Sequence, residues 1–140
     1  MSLIFQSVFF DTPVIGDRVA DIFIPENVTQ DTALFFIHGG AWRAGSRAVH
    51  YIIIEEFLRR GFICGNTDYR LGGVNAFDQI FDIRCGYDLL VSKLKELGRP
   101  LNILTHGSSA GAHLCAMMSL TSPGECGEPT EFKGYRLRNE

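Results

Sequence analysis

The sequence predicts an α/β fold, a mostly parallel sheet covered by helices and preceded by an antiparallel hairpin. Three observations predict it. The run "ALFFI" at 33–37 is continuously apolar, as in a strand buried on both faces. From there on, short strand-like runs alternate with helical periodicity, the pattern that places parallel strands side by side with helices on the sheet's faces. Glycine-rich segments follow two of these runs, "HGGAWRAGS" after 33–37 and "GSSAG" after 101–105, where the chain must leave the sheet abruptly.

Residues 3–10 and 18–24 read as two strands separated by "DTPVIGD", which is rich in turn formers. In the second, Val19, Asp21 and Phe23 alternate with Ala20, Ile22 and Ile24, as in a strand near a sheet edge. Residues 48–60 form a helix with Val49, Ile52, Ile53 and Phe57 as its apolar stripe, closed by arginines and Gly61. "FICGNTDYRL" (62–71) is a short strand running into a loop. A long amphipathic helix covers 78–97, with Ile80, Ile83, Tyr87, Leu90, Val91, Leu94 and Leu97 on one stripe. Asp78 and Asp82 lie at its front, where the helix dipole favours negative charge, and Gly98 and Pro100 mark its stop. "LNILT" (101–105) is a buried strand, and 110–120 is the last helix.

Composition narrows the function. A chain of 140 residues with 46% hydrophobic content and a net charge of -3 builds one globular unit, with no repeat or low-complexity linker. It has no basic cluster to hold nucleic acid, and its longest apolar run is too short to span a membrane. The four cysteines (Cys64, Cys85, Cys115, Cys126) form no CxxC pair, so neither a disulfide framework nor a zinc site is expected. With no secretory signal at the N-terminus, these features point to a cytoplasmic protein. "GAWRAGS" mimics a phosphate loop but lacks its lysine and carries the bulky Trp42, and no G-x-G-x-x-G occurs. No cofactor or metal is expected.

Gly107-Ser108-Ser109-Ala110-Gly111 fits G-x-S-x-G with Ser109 at the centre, between a strand and a helix. Such a turn forces its central residue into a strained conformation and lifts the hydroxyl above the sheet edge. The flanking residues must be small, since a Cβ would strike the opposite arm of the turn. Ala110 keeps the N–H after the serine accessible, and Ser108 is a spacer. The second loop, His38-Gly39-Gly40-Ala41, brings backbone N–H donors close to where an oxyanion would form.

Together "HGGAWRAGS", "DYRL", "FDQIFDI" and "GSSAGAHL" resemble the α/β-hydrolase superfamily, most closely its HGG-type esterase, lipase and arylformamidase-like branch, over roughly residues 15 to 120. The resemblance implies hydrolysis of a small-molecule carboxylic ester, or a related amide, through an acyl-serine. Ser109 would be the catalytic nucleophile, and the N–H groups of Gly39, Gly40 and Ala110 the oxyanion hole. Asp68, Tyr69 and Arg70 would shape the floor of the site, Asp and Arg pairing with each other or with the backbone.

The same resemblance sets the chain order serine, acid, histidine, and after Ser109 only His113 follows, one helical turn away and aimed along the helix. His38 would stabilise its loop, His106 ends a strand and His50 opens a helix. No general base is apparent. Residues 1–140 are therefore expected to be the N-terminal portion of a single hydrolase domain, lacking the triad acid and histidine. "EFKGYRLRNE" begins like the next strand of the sheet but is interrupted by arginines. The strand 101–105 would then be an open edge prone to self-association. The alternatives are a non-catalytic binding protein on the same scaffold and an arylformamidase-type amide hydrolase.

Overall fold

The computed structural model describes residues 5–11, 19–132 and 135–137. Strands β1 (Phe5–Asp11), β2 (Val19–Pro25) and β3 (Thr32–Ile37) come first. A 3-10 turn, Arg47–His50, leads into α1 (Tyr51–Arg59). Then follow β4 (Cys64–Thr67), α2 (Ala76–Glu96), β5 (Asn102–Gly107) and α3 (Ala110–Leu120). The main sheet has the order β1-β2-β4-β3-β5. β4, β3 and β5 are parallel, with Phe35 opposite both Gly65 and Thr105. β2 joins them antiparallel through β4 and pairs with β1 as the expected hairpin.

The continuous apolar run of β3 explains the layering. Ala33, Phe35 and Ile37 point to one face, into a cluster with Ile80, Ile83, Leu90 and Leu94 of α2 and Leu114 and Met118 of α3. Leu34 and Phe36 point to the other, against Ile54 and Leu58 of α1. Each such buried side chain contributes on the order of 2 kcal/mol. Asn75 caps α2 reciprocally with Asp78, its side chain accepting from the Asp78 N–H at 2.9 Å.

Three expectations need correction. The inward face of α1 is Ile54 and Leu58, whereas Val49, Ile52 and Ile53 are exposed, Ile52 at 85%. A run of three isoleucines fits more than one helical stripe, and the sheet selects only one. β5 is not buried but alternates between exposed and half-buried residues, because among the described residues it has a neighbour on one side only. The expected further strand pairs within itself instead, Glu131–Phe132 with Tyr135–Arg136, as β6 and β7 of a separate small sheet.

Buried polar residues tie the elements together. Asp21 on β2 is fully buried, and its Oδ2 accepts from Arg47 Nε at 3.0 Å and from the Tyr51 hydroxyl at 2.6 Å. Arg47 also donates from Nη1 to Asp68 at 2.5 Å, and its carbonyl accepts from Asn66 Nδ2 at 3.0 Å. The segment opening α1 is thereby pinned over the ends of β2 and β4. Arg84 of α2 reaches the end of α3, donating to the Met118 carbonyl at 3.2 Å and to Thr121 Oγ1 at 2.9 Å beside Glu128. Among the described residues no helix is long and apolar enough to cross a membrane.

Two predictions follow from this packing. A methyl group on Gly86 of α2 would meet Thr67 Oγ1 at 2.5 Å and Cγ2 at 2.9 Å. Gly86→Ala is therefore expected to destabilise the protein by about 1–3 kcal/mol, although alanine in a free helix gains about 1 kcal/mol over glycine; thermal unfolding by circular dichroism reads the sign. His50 is buried, and its pKa is lowered first by burial and then by the charges of His106 and His38. Its neutral form thus stabilises the fold fully above an unfolded pKa of about 6.5. That contribution is lost as pH falls through the lower folded value. Urea unfolding between about pH 7.5 and 5.5 is expected to show a drop in stability that is shallower in His50→Phe.

Candidate active site

The two glycine loops meet at the ends of β3 and β5. After β5 the chain turns at Ser109, with φ 55° and ψ -122°, and α3 starts at the next residue. Ser109 is exposed and its backbone lies in a region that L-residues rarely adopt, at about 1–3 kcal/mol of strain. A Cβ on Gly107 would strike the Gly111 carbonyl, as the turn requires. Gly111 is constrained differently from the expectation: its missing Cβ would hit the carbonyls of Ile37 and His38, at the end of β3, rather than the opposite arm. Gly39 in turn lies against the elbow, where a Cβ would strike the Ser108 carbonyl and sit 3.2 Å from Ser109 Cβ. The two loops touch backbone to backbone.

The loop after β3 is itself strained. Gly40 has φ 135°, and Ala41 and Trp42 have φ 56° and 61°. A turn forms inside it, with the Arg43 and Ala44 N–H groups both donating to the Gly40 carbonyl, at 3.0 and 2.9 Å. Among the described residues the N–H groups of Gly39 and Gly40 donate to no loop or turn carbonyl. Ala110, first residue of α3, presents one of the donors that a helix start leaves without an intrahelical partner. These are the three positions expected to form the oxyanion hole; of them, Gly39 packs against the elbow and Ala110 directly follows Ser109.

Buried neighbours hold the loop. His38 is 1% exposed, stacks on Tyr69 with ring centroids 4.3 Å apart, and donates from Nδ1 to the Gly39 carbonyl at 2.7 Å. The Tyr69 hydroxyl donates to the His38 carbonyl at 2.7 Å; burial pushes its pKa up to about 12, so it remains a donor. Gln79 of α2 donates from Nε2 to the carbonyls of Trp42 (2.9 Å) and Arg70 (2.7 Å). Gln79 escaped the sequence reading, since its only signal was a polar residue beside the apolar stripe. Asp68 and Arg70 do not pair with each other. Asp68 takes Arg47, and Arg70 grips Asp82 through Nε at 2.8 Å and Nη2 at 3.0 Å. Asp82 is thus a fully buried partner of Arg70, not an exposed charge on the helix dipole.

No described side chain hydrogen-bonds the Ser109 hydroxyl. His113, on α3, accepts at Nδ1 from the Trp42 indole at 3.3 Å. His50 and His106 stack edge to face, 5.3 Å apart, against Phe36 on the α1 side of the sheet. A cleft of about 360 Å³ opens beside β5, lined by Arg84, Asp88, Thr105, Ser119 and Leu137 among others, and no residue of either loop lines it. Among the described residues no three His, Cys, Asp or Glu side chains are grouped to hold a metal.

The architecture is that of an α/β-hydrolase, and comparison with known proteins specifies the branch. The BD-FAE family model matches residues 20–136, and the chain belongs to this family. It is 33% identical over 92 residues to the esterase LipC of Mycobacterium tuberculosis, covering 64% of this chain and 23% of that protein. To the kynurenine formamidase of Drosophila melanogaster it is 28% identical over 104 residues, covering 74% of this chain and 35% of the relative. Among solved structures, the thermophilic esterase Est2 of Thermogutta terrifontis superposes with a TM-score of 0.70 at 28% identity, over 86% of this chain and 47% of that one. The same esterase has been solved phosphonylated by cyclosarin. The chain thus spans about a quarter to a third of these curated relatives and under half of that structure.

The elbow geometry makes a thermodynamic prediction. Ser109→Gly relieves a backbone conformation that Ser109→Ala leaves in place. The glycine variant is expected to be more stable than the alanine variant by about 1 kcal/mol or more, measured by chemical denaturation of both.

Proposed function

We propose that this chain carries the nucleophile and oxyanion hole of a serine hydrolase acting on carboxylic esters. The observation that carries the reading is the exposed Ser109 in a strained elbow, beside loop N–H groups with no partner in the turns around them. In this mechanism Ser109 Oγ attacks the ester carbonyl and gives its proton to a base. The negative oxygen of the tetrahedral intermediate is held by the N–H groups of Gly39, Gly40 and Ala110. Collapse expels the alcohol, which takes up that proton, and leaves an acyl-serine. Water then releases the acid by the same steps.

The base and its acidic partner come, in this reading, from polypeptide beyond residues 1–140, whether continuous with this chain or separate. All four histidines of the chain have other contacts: His38 with the Gly39 carbonyl, His113 with Trp42, and His50 and His106 with each other. The open edge at β5, with Leu104 63% exposed, is where further sheet would pair, or where two copies of this chain would meet. Residues 1–140 are then the N-terminal portion of one hydrolase domain, and the walls of the substrate pocket come from outside it. The four cysteines are free, two of them buried, which supports a reducing, cytoplasmic setting. The match to a formamidase over 74% of the chain favours an N-formyl amide as the second substrate class.

A fluorophosphonate probe tests the assignment on the purified chain. Labelling is expected at Ser109, absent in Ser109→Ala, and about 10–10³-fold slower when Gly39→Ala displaces the oxyanion loop. Turnover of p-nitrophenyl acetate by the 140-residue chain is expected to be weak. Fast, Ser109-dependent turnover would mean that a base lies within it after all. Failure of Ser109 to label would point to a non-catalytic binding protein or to a chain inert without its missing base.

A further inference from the structure

We propose that His113 is a positioning residue that straps the strained oxyanion loop to the nucleophile's own helix through Trp42. The proposal rests on the serine-hydrolase reading for its catalytic consequence, and on geometry for the strap itself. Trp42 is the protein's single tryptophan, and its indole N–H donates to His113 Nδ1 at 3.3 Å. The rings pack edge to face, 5.7 Å apart and 77° between planes. An Nδ1 that accepts leaves the other ring nitrogen, Nε2, to carry the imidazole proton. From the same residue, the His113 backbone N–H donates to the Ser109 carbonyl at 3.2 Å. One residue therefore grips the elbow with its main chain and the oxyanion loop with its side chain.

The loop needs such a grip. Three successive residues, Gly40, Ala41 and Trp42, have positive φ, and two of them carry a Cβ that disfavours it. Trp42 is 43% exposed, so core burial does little to hold it. Its carbonyl is held by Gln79 of α2, and its indole by His113 of α3. Without the second tie, the loop relaxes toward ordinary backbone angles and its N–H groups swing away from Ser109. That slows formation of the oxyanion while leaving ground-state binding nearly unchanged.

The test uses the full 140-residue chain and two variants. His113→Phe keeps an aromatic ring but removes the acceptor; His113→Asn loses the ring but places an amide oxygen near the position of Nδ1. The lone indole N–H gives one cross-peak in a nitrogen–proton NMR spectrum. In His113→Phe this peak is expected to move upfield. Hydrogen exchange of amides in the 39–45 loop is expected to speed up about tenfold, while β3 and β5 keep their protection. Phosphonylation of Ser109 is expected to slow by a similar factor, and His113→Asn to restore most of both effects. An indole peak and loop exchange unchanged in His113→Phe overturn the proposal, as does equally fast loop exchange in the Phe and Asn variants. Absence of phosphonylation in the unsubstituted chain bears on the hydrolase reading or on the missing base and not on the strap, which the exchange measurement still decides.

Discussion

Gly111 has no side chain, and the carbonyls of Ile37 and His38 lie where one would be. The rest of the site depends on this single close approach. It presses the first turn of α3 against the end of β3, so that the elbow after β5 and the loop after β3 share one small volume. Gly39 completes the contact from the other side, its backbone against Ser108 and Ser109. Because backbone meets backbone here, the two loops are held against each other at Gly39 and Gly111. Adjacent parallel strands supply the platform, with Ile37 level with Gly107 in the sheet.

Close approach alone does not hold strained residues. Ala41, Trp42 and Ser109 each sit at positive φ, and each costs about 1–3 kcal/mol, comparable with the burial of one large apolar side chain at about 1.5–3 kcal/mol. The scaffold offsets this by fixing the loop from beneath. Tyr69 stacks under His38 and bonds its carbonyl, Gln79 takes the carbonyl of Trp42, and Arg70 is locked to buried Asp82 so that its own carbonyl faces Gln79. α2 thus positions the site from behind, although none of its residues lies in either loop. The strained conformation of the loop after β3 is thus fixed by residues well outside both glycine loops.

The parts legible in the sequence are those governed by local backbone rules. G-x-S-x-G announces a tight strand-to-helix turn because the requirement for small residues falls within five positions, and α3 begins and ends where its pattern says. The stripe of α2 is readable for the same reason, being periodic over 21 residues, except that Leu97, expected on it, falls at the helix cap and is exposed. What could not be read depends on distant partners. Asp21 is buried because Arg47, 26 residues away, and Tyr51 meet it; Gln79 bonds a carbonyl 37 positions back. Asp82 looked like a helix-start charge because its partner Arg70 lies in the preceding loop. The inward side of α1 and the exposure of β5 were ambiguous because both are decided by what packs against them, not by their own residues.

On the proposed reading, the Gly39, Gly40 and Ala110 amides converge on the point where an oxyanion bonded to Ser109 would sit. A crystal structure of the chain with a phosphonate on Ser109 measures this directly. The phosphoryl oxygen is expected about 2.7–3.1 Å from the amide nitrogens of Ala110 and of at least one of the two loop glycines. An adduct whose oxygen faces solvent, with the loop amides turned from it, would mean that these amides do not form an oxyanion hole.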